Sequence, residues 1–299
     1  MDHQHLNAFE TVARLESFSA AAEQLHLTQP AISKRIAALE NQLKCKLFDR
    51  IGRQVQLTEA GRLLQPKARQ ILQALTDAKR DIDELQGTVG GKLCLATSHY
   101  VGLHHLPPLL KSYCQKYPEV VLELNFLDSE KAHQAISYGD YDLAVVTLSE
   151  QAKQNSGNNY YKGLLATQLL REELCFVVAC EHPLATASNL QLTNLSAHPA
   201  ILPDYTTYTS SLVKDLFDRE QIALSINMAT NHLDAIKMMV SIGLGWGVLP
   251  KSMLDNSLTQ LQLNNASLSR QLGYIHQRDR SLSNAAQAFI NEMNNALVK

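Results

Sequence analysis

The sequence predicts an α/β protein in two parts. A small, basic, helix-rich N-terminal part leads through one long helix into a larger region of alternating strands and helices. Three observations predict this. The chain has 299 residues, 45% of them apolar and 19% charged, a globular composition and enough for two or three domains at about 100–200 residues each. Its net charge of −2 is unevenly placed. Residues 31–70 carry nine Lys/Arg against three acids, whereas residues 71–299 carry 17 against 22. Finally, the hydrophobic period changes along the chain, from short helices to a heptad repeat and then to strand–helix alternation. A cationic end on an acidic remainder points to nucleic-acid binding, with a solvated charged face as the other reading.

Leu6, Phe9 and Ala13 fall at helical spacing within residues 4–15, a first amphipathic helix. Ser17 or Ser19 can cap a second, SAAAEQL, whose alanines allow close helix crossing. Thr28 can cap a third, QPAISKRIAALENQL, with Pro30 tolerated in its first turn. Ile32, Ile36, Leu39 and Leu43 form its buried stripe. Pro30, Ser33, Lys34, Ala37 and Asn41 fall opposite, with Gln29 at the exposed start and Arg35 on the flank. A polar, small and basic helix face can enter a major groove, where Gln reads adenine and Ser donates or accepts, while Lys and Arg suit phosphates. A solvated helix face is the alternative. KLFDRIGRQVQL reads as two short strands around a loop carrying Arg50 and Arg53, which makes a wing beside a helix-turn-helix.

Thr58 caps a long helix over about 59–86. Leu64, Ala68, Ile71, Leu75, Ala78, Ile82 and Leu85 follow in steps of four and three, a heptad seam that wants a partner helix and predicts a dimer. Burial against the same chain is the competing reading. Pro66 should kink or restart this helix.

Gly87, Gly90 and Gly91 mark a hinge over 87–91. From Lys92 the predicted strands are KLCLATS, VVLELNF, YDLAVVT, LCFVVAC, LSINMAT, WGVLP and SRQLGYIHQ. The helices between and after them include VGLHHLPPLLKSYCQKYP, SEKAHQAISYGD, TSSLVKDLFDREQIA, NHLDAIKMMVSIGLG and SLSNAAQAFINEMNNALV. SEQAKQNSGNNYYKG reads as a polar connection. Such alternation implies parallel α/β units.

The segment SFSAAAEQLHLTQPAISKRIAALENQLKCKLFDRIGRQVQLTEAG closely resembles the winged helix-turn-helix of LysR-type transcriptional regulators. The resemblance rests on SFSAAA, LTQPAIS, the pair Leu39-Glu40, Leu47-Phe48, the arginines at 50 and 53, and LTEAG. It implies that the third helix enters the major groove, with Gln29, Pro30, Ser33 and Lys34 reading bases. Arg35, Arg50 and Arg53 would contact backbone, and Ser19 and Thr28 fall within the matching words. It also implies an effector region that looks like a periplasmic binding protein, two α/β subdomains joined by two crossing strands. The expected division is 1–58 for DNA binding, 59–86 for the linker helix and 92–299 for the effector domain. Subdomain I would span 92–162 and 266–299, and subdomain II 163–265. The resemblance further implies a homodimer or homotetramer on an interrupted dyad of double-stranded DNA, with RNA polymerase a further candidate partner.

In open α/β sheets, ligands bind at the carboxyl ends of strands, near helix N-termini. The candidates are Thr97, Ser98, His99 and Tyr100 after the first strand, and Thr147 after the third. Pro203, Asp204, Tyr205 and Thr206 form a polar loop, and Asn231 and His232 open a helix. Gly245 and Gly247 would let backbone approach a ligand. These positions also resemble the family's effector cleft, although Ser, Thr and Asn serve equally as helix caps. The effector is a small molecule, or an oxidant, since peroxide-sensing members of the family use a cysteine pair.

Five scattered cysteines with no C-x-x-C exclude a finger-type metal site, and no metal or cofactor is expected. Cys175 and Cys180 are separated by an odd number of residues in one predicted strand, so they face opposite ways. His104 and His105 diverge on a helix and His3 and His5 lie at the terminus, so neither pair makes a metal site. MDHQHLNAFETVARLE lacks the apolar core of a secretory signal, and MMVSIGLGWGVLP is too short to span a bilayer. A reducing, cytoplasmic setting follows. There is no G-x-S-x-G or Walker loop, so an enzyme is not expected. The alternatives to a ligand-controlled regulator are a solute-binding protein and an architectural DNA binder that ignores ligands.

Overall fold

The computed structural model describes residues 2–51, 54–149, 163–264 and 266–297. Two compact units divide the chain, residues 1–86 and 87–299.

The first unit opens with α1 (His3–Leu15), α2 (Phe18–Gln24) and α3 (Gln29–Leu43). Each has a side-chain N-cap: Asp2 accepts from His5, Ser17 from Ala20 and Thr28 from Ala31. Of the two serines that could cap α2, Ser17 does so and Ser19 is exposed within the helix. Phe9, Ile32, Ile36 and Leu39 are buried together. Phe48 packs on Phe9 and Phe18 with ring centroids 5.4 and 5.7 Å away. The wing is β1 (Phe48–Ile51) paired antiparallel with β2 (Gln54–Leu57). Buried Glu40 fixes its start by accepting from Leu47 N at 2.9 Å and Lys46 Nζ at 2.6 Å.

Helix α4 (Glu59–Asp83) begins at Thr58, whose hydroxyl accepts from Gly61 N at 3.0 Å and donates to Lys46 O at 2.7 Å. A Cβ at Gly61 would overlap the Leu47 carbonyl, so the turn into α4 requires glycine. The helix passes Pro66 without a break, so it does not restart there. The proline withholds one hydrogen bond, from the carbonyl of exposed Arg62, which water can satisfy. A 3-10 turn, Glu84–Gln86, ends the unit.

Part of the expected intermolecular seam is used within this unit. Ala68 is fully buried and Leu64 half-buried against the helix-turn-helix core. The Arg69–Glu10 ion pair, 3.0 Å, fastens α4 to α1 beside them. Ile71, Leu75, Ala78, Ile82 and Leu85 remain exposed.

The second unit is built on one nine-stranded sheet. Its first half contains β3 (Gly91–Thr97), α5 (His99–His104), α6 (Pro107–Lys116), β4 (Val120–Phe126), α7 (Ser129–Tyr138) and β5 (Leu143–Leu148). The expected single helix around Pro107-Pro108 is two, because Pro107 starts a new helix at its first position. Strand β6 (Leu164–Ala179) then runs for 16 residues. After it come α8 (Leu192–Ser196), β7 (Ala200–Leu202), α9 (Tyr208–Arg219), β8 (Ile226–Ala229), α10 (Leu233–Ser241), β9 (Trp246–Pro250) and β10 (Leu258–Gln260). Strand β11 (Leu268–Gln277) and α11 (Asn284–Leu297) complete the unit. The polar stretch expected between β5 and β6 lies, from residue 150 to 162, outside the described residues.

The strand order is β4-β3-β5-β11-β6-β9-β7-β8, with β10 also paired to β6. β3 pairs parallel with β4 and β5, and β7 with β8 and β9. Between these parallel ends, β11 and β6 run antiparallel along the whole of β11. This is the expected pair of subdomain sheets with two crossing strands, but β6 starts ten residues earlier than its apolar run suggested. Leu93, Leu95, Tyr113 and Phe289 fill one core, and the Tyr113 hydroxyl donates to Ala285 O at 2.8 Å, tying α6 to α11. In the other half, fully buried Trp246 stacks on Phe217 and donates to Leu195 O at 3.0 Å.

Candidate functional site

Two surfaces carry the functional candidates, one in each unit. On α3, packing of Ile32, Ile36 and Leu39 inward turns Gln29, Pro30 and Lys34 fully outward and leaves Ser33 and Arg35 half-exposed. None of the side chains of Gln29, Ser33, Lys34 or Arg35 makes a hydrogen bond or ion pair with another described residue. Thr28 is occupied as the cap, accepting from Ala31 N at 3.4 Å. Ser19 is exposed on α2. Arg50 lies on β1 opposite Val55, and Arg53 is outside the described residues.

In the second unit the crossing strands form the floor of a cleft. α7 stands on one side and α9 on the other. A cavity of about 850 Å³ opens between them, lined from the floor by Arg171, Ser269, Arg270 and Gln271. A narrow hollow of about 50 Å³ adjoins it, and Glu130, Thr147, Tyr208 and Arg270 line both. The larger volume suits a small ligand.

The predicted residues divide around this cleft. Ser98, His99, Tyr100, Pro203 and Asn231 line the hollow, Thr147 lines both spaces and Thr206 the larger one. Ser98 caps α5 from there, accepting from Val101 N at 3.4 Å. Asn231 holds the facing loop by accepting from Asp204 N at 3.0 Å. His232 packs its ring on His99, centroids 4.3 Å apart, beside the lining residues.

Five expectations need correction. Thr97 is buried and donates to Val145 O at 2.8 Å, so its hydroxyl locks two strands together. Asp204 folds onto Thr206, accepting from both its N and Oγ1 at 2.9 Å, and stands outside the cavity lining. Tyr205 points away to β8, accepting from Ile226 N at 3.2 Å. A Cβ at Gly245 would overlap the Pro199 carbonyl, and one at Gly247 would lie 3.1 Å from Ile201 O and 2.9 Å from a Val240 methyl. Both glycines therefore serve close packing of backbone and helix, not approach to a ligand.

Sequence reasoning missed the charged floor. Arg270, 6% exposed, donates through Nε to Glu172 Oε2 at 2.8 Å and through Nη1 to Thr209 Oγ1 at 3.2 Å. Its guanidinium also lies 4.7 Å from the centre of the Tyr100 ring. Nη2 is 2.8 Å from the same Glu172 oxygen, but it is buried and makes no hydrogen bond. The contact is Coulombic attraction without donor alignment. The Tyr100 hydroxyl donates to Glu172 and meets Ser252 Oγ at 2.9 Å and His105 Nε2 at 3.2 Å. This network joins α5, β6, β11 and α9. Burial and the bond to Glu172 push the Tyr100 hydroxyl well above its usual range. Burial works to raise Glu172, but the hydrogen bond from His105 and the charge of Arg270 outweigh it, so its carboxyl is held low.

The walls carry two more groups the sequence did not single out. Burial holds the His133 imidazole down at about 4, against the hydrogen bond between its Nδ1 and Ser129 O at 2.7 Å. Glu130, in the first turn of α7, accepts from Tyr208 N, the first N–H of α9, at 2.7 Å. Burial pushes the Glu130 carboxyl up. The available signal was charge within strands: Arg171, Glu172 and Arg270 interrupt otherwise apolar segments.

All five cysteines are free, with Cys175 buried in β6 and Cys180 exposed in the turn just past its end, outside the single strand expected to hold both. Burial pushes the Cys175 thiol up, away from the reactive thiolate. Among the described residues no cluster of three His, Cys, Asp or Glu is placed to hold a metal, and no helix is long and apolar enough to cross a membrane.

A helix-turn-helix with a free outer helix face, and a two-lobed α/β cleft with a charged floor, define a class: a DNA-binding regulator governed by a small ligand. Family comparison agrees. Residues 3–62 match the bacterial regulatory helix-turn-helix protein, lysR family, and residues 86–297 the LysR substrate binding domain. A probable nitrogen assimilation transcriptional activator from Synechocystis sp. is 33% identical over 251 residues, covering 84% of this chain and 79% of that one. The chain belongs to the LysR family of transcriptional regulators. In fold it resembles a full-length OxyR variant from Pseudomonas aeruginosa, with TM-score 0.73 over 100% of both chains at 18% identity. It also resembles full-length CbnR solved with its target DNA, with TM-score 0.63 over 99% of this chain and 100% of that one at 19% identity.

Proposed function

We propose that this regulator reads an interrupted dyad of double-stranded DNA as a homodimer or homotetramer in the cytoplasm, without enzymatic activity, and that a small molecule in the cleft of its second unit controls it. The observation that carries the reading is the outer face of α3, where Gln29, Ser33, Lys34 and Arg35 have no other described side-chain partner. Gln29, Pro30, Ser33 and Lys34 read bases. Arg35, with Arg50 and Arg53 of the wing, engages phosphates, and Ser19 and Thr28 stand at the margin of the same face. Ile71, Leu75, Ala78, Ile82 and Leu85 supply an apolar stripe for a second α4, doubling the recognition helices. The effector meets Ser98, His99, Tyr100, Thr147, Pro203, Thr206 and Asn231. A ligand-filled cleft is favoured over oxidation because Cys175 is buried with its thiol held neutral.

The test is fluorescence anisotropy of the full-length protein on the DNA upstream of its own coding region. It is run at two salt concentrations, with excess unrelated DNA as competitor. Binding that resists competitor and gives a defined footprint is expected. Binding erased by competitor on that DNA and on a selected pool of random duplexes overturns sequence-specific recognition.

A further inference from the structure

Packing explains only half of the pair Leu39-Glu40. Leu39 is fully buried in the core of the first unit. Glu40 is 8% exposed as well, and a carboxylate is costly to bury without partners. Its partners come from four successive residues. Its carbonyl accepts from Lys44 N and, at 3.2 Å, from Cys45 N. Its carboxylate accepts from Lys46 Nζ at 2.6 Å and from Leu47 N at 2.9 Å. The whole turn from α3 to the wing is wound on this one residue.

The two carboxylate bonds are unequal. The Lys46 side chain is 77% exposed, so its ion pair contributes little. The bond to Leu47 is buried, and without it a backbone N–H would be left in the interior with no acceptor. Leu47 is also tied on its other side. Its carbonyl accepts from Thr58 N at 3.0 Å, and the next residue, Phe48, opens β1 opposite Leu57. The end of α3, the base of the wing and the start of α4 therefore meet at one peptide unit. The Phe48 ring anchors β1 on α1 and α2, but ring packing tolerates rotation, whereas a hydrogen bond is directional.

We propose that Glu40 is a positioning residue for DNA recognition: through Leu47 N it holds the wing at the angle to α3 at which both meet one duplex. This rests on the reading of α3 in the major groove and the wing on the backbone, and adds the residue that couples them. With the bond broken, α3 keeps its own core contacts and still reads its bases. The wing is correctly placed in only a fraction of molecules, and the apparent affinity falls with that fraction.

The experiment compares the full-length parent with Glu40→Asp, Glu40→Gln and Lys46→Met on a duplex the parent footprints, taken from upstream of its coding region or selected from random sequence. Asp keeps the charge but is one methylene too short to reach Leu47 N. Gln keeps the reach and an acceptor oxygen but loses the charge. Hydroxyl-radical footprints report the DNA backbone, competition with single-base variants of the duplex reports base preference, and hydrogen exchange of residues 32–39 reports the fold of α3. Glu40→Asp is expected to bind about tenfold more weakly, the effect of one lost hydrogen bond to a charged group. It should lose protection on the backbone flanking the α3 site, while base preference and α3 exchange stay at parent values. Glu40→Gln and Lys46→Met should bind within about twofold of the parent, as for an exposed ion pair. A merely structural role would instead degrade base preference, exchange and flanking protection together. The proposal is overturned if Glu40→Asp binds like the parent, if Glu40→Gln falls as far as Glu40→Asp, or if base preference is lost in step with affinity. A parent without flanking protection removes the wing reading itself. Flanking protection that survives in Glu40→Asp removes only the positioning role.

Discussion

Replacing Glu172 by Gln removes one charge and almost no volume, so it isolates the electrostatic part of the buried floor. Glu172 and Arg270 are 7% and 6% exposed, with Nε and Oε2 2.8 Å apart. At that separation and an effective dielectric of about 20, the Coulomb attraction is about 6 kcal/mol. The amide keeps part of the hydrogen bonding to Tyr100, and the site relaxes, so the expected net loss is about 3–5 kcal/mol, as for other broken buried pairs. Most of that loss is the cost of an Arg270 charge left buried and uncompensated. A second replacement, Arg270→Gln, should therefore recover about 1–3 kcal/mol relative to Glu172→Gln. The assay is already in the chain. Trp246 is the single tryptophan and lies fully buried in the second unit, so its fluorescence against urea follows that unit alone. A loss below about 1 kcal/mol for Glu172→Gln, the range of an exposed pair, would refute the reasoning. So would a double variant whose loss equals the sum of the two single losses.

Other outcomes follow from individual residues. His133 resists protonation down to about 4 when folded, against an ordinary 6.5. The unfolded chain therefore binds the extra proton first, and stability falls as pH drops from about 6.5 to about 4, by about 3 kcal/mol in all. His133→Gln should flatten that slope in the Trp246 signal, and an unchanged slope would place the proton uptake elsewhere. Gln29→Ala should relax base preference by about 1–3 kcal/mol at one position of the site. Arg35→Ala should weaken every sequence alike and reduce the salt slope by about one. Competition binding on single-base operator variants separates the two effects. Leu75→Asp with Ile82→Asp should convert the protein to monomer in sedimentation while leaving the Trp246 unfolding curve in place. A retained dimer would exclude the exposed stripe as the interface.

The first unit was readable almost residue by residue because its determinants are local. The α3 stripe, the Thr28 and Thr58 caps and the wing each depend on neighbours within a few positions. Gly61 is the exception: its need for glycine comes from the Leu47 carbonyl, which only the folded turn brings near. The heptad of α4 was legible as a pattern but not as a surface. Nothing in the spacing says that Ala68 spends its face on the unit's own core. In the second unit the alternation of strands and helices survived, but β6 was read from Leu174 and starts at Leu164. Arg171, Glu172 and Glu173 disguised the first half of the strand as a loop. Arg270, which neutralises Glu172, and Ser269, which accepts from Arg171, lie about a hundred positions away on β11, and Glu173 pairs with Lys251 after β9. The same distance hid the floor of the cleft. The loop and cap residues around its rim were visible, because turns and helix starts have local signatures. The five-residue α8 and three-residue β10 are too short to show a period.

The two crossing strands also set how the second unit can deform. β6 and β11 share a ladder from Leu164/Gln277 to Leu174/Leu268, so they behave as one two-ply ribbon and not as two independent strings. A ribbon of this kind is stiff against stretching and shear and compliant mainly in twist. Its weak point is the register irregularity at Leu272/Gly273, where the ladder skips Leu169 on β6. The parallel strands β3, β4 and β5 lie toward one side of this torsion element and β7, β8 and β9 toward the other. The His104–Asp234 contact, 3.2 Å, joins α5 to α10 across the two halves, so a twist of the ribbon that moves one half against the other changes it. A ligand that fixes the twist of the ribbon is therefore felt at that contact, and the surface that reports the ligand need not be the surface that holds it.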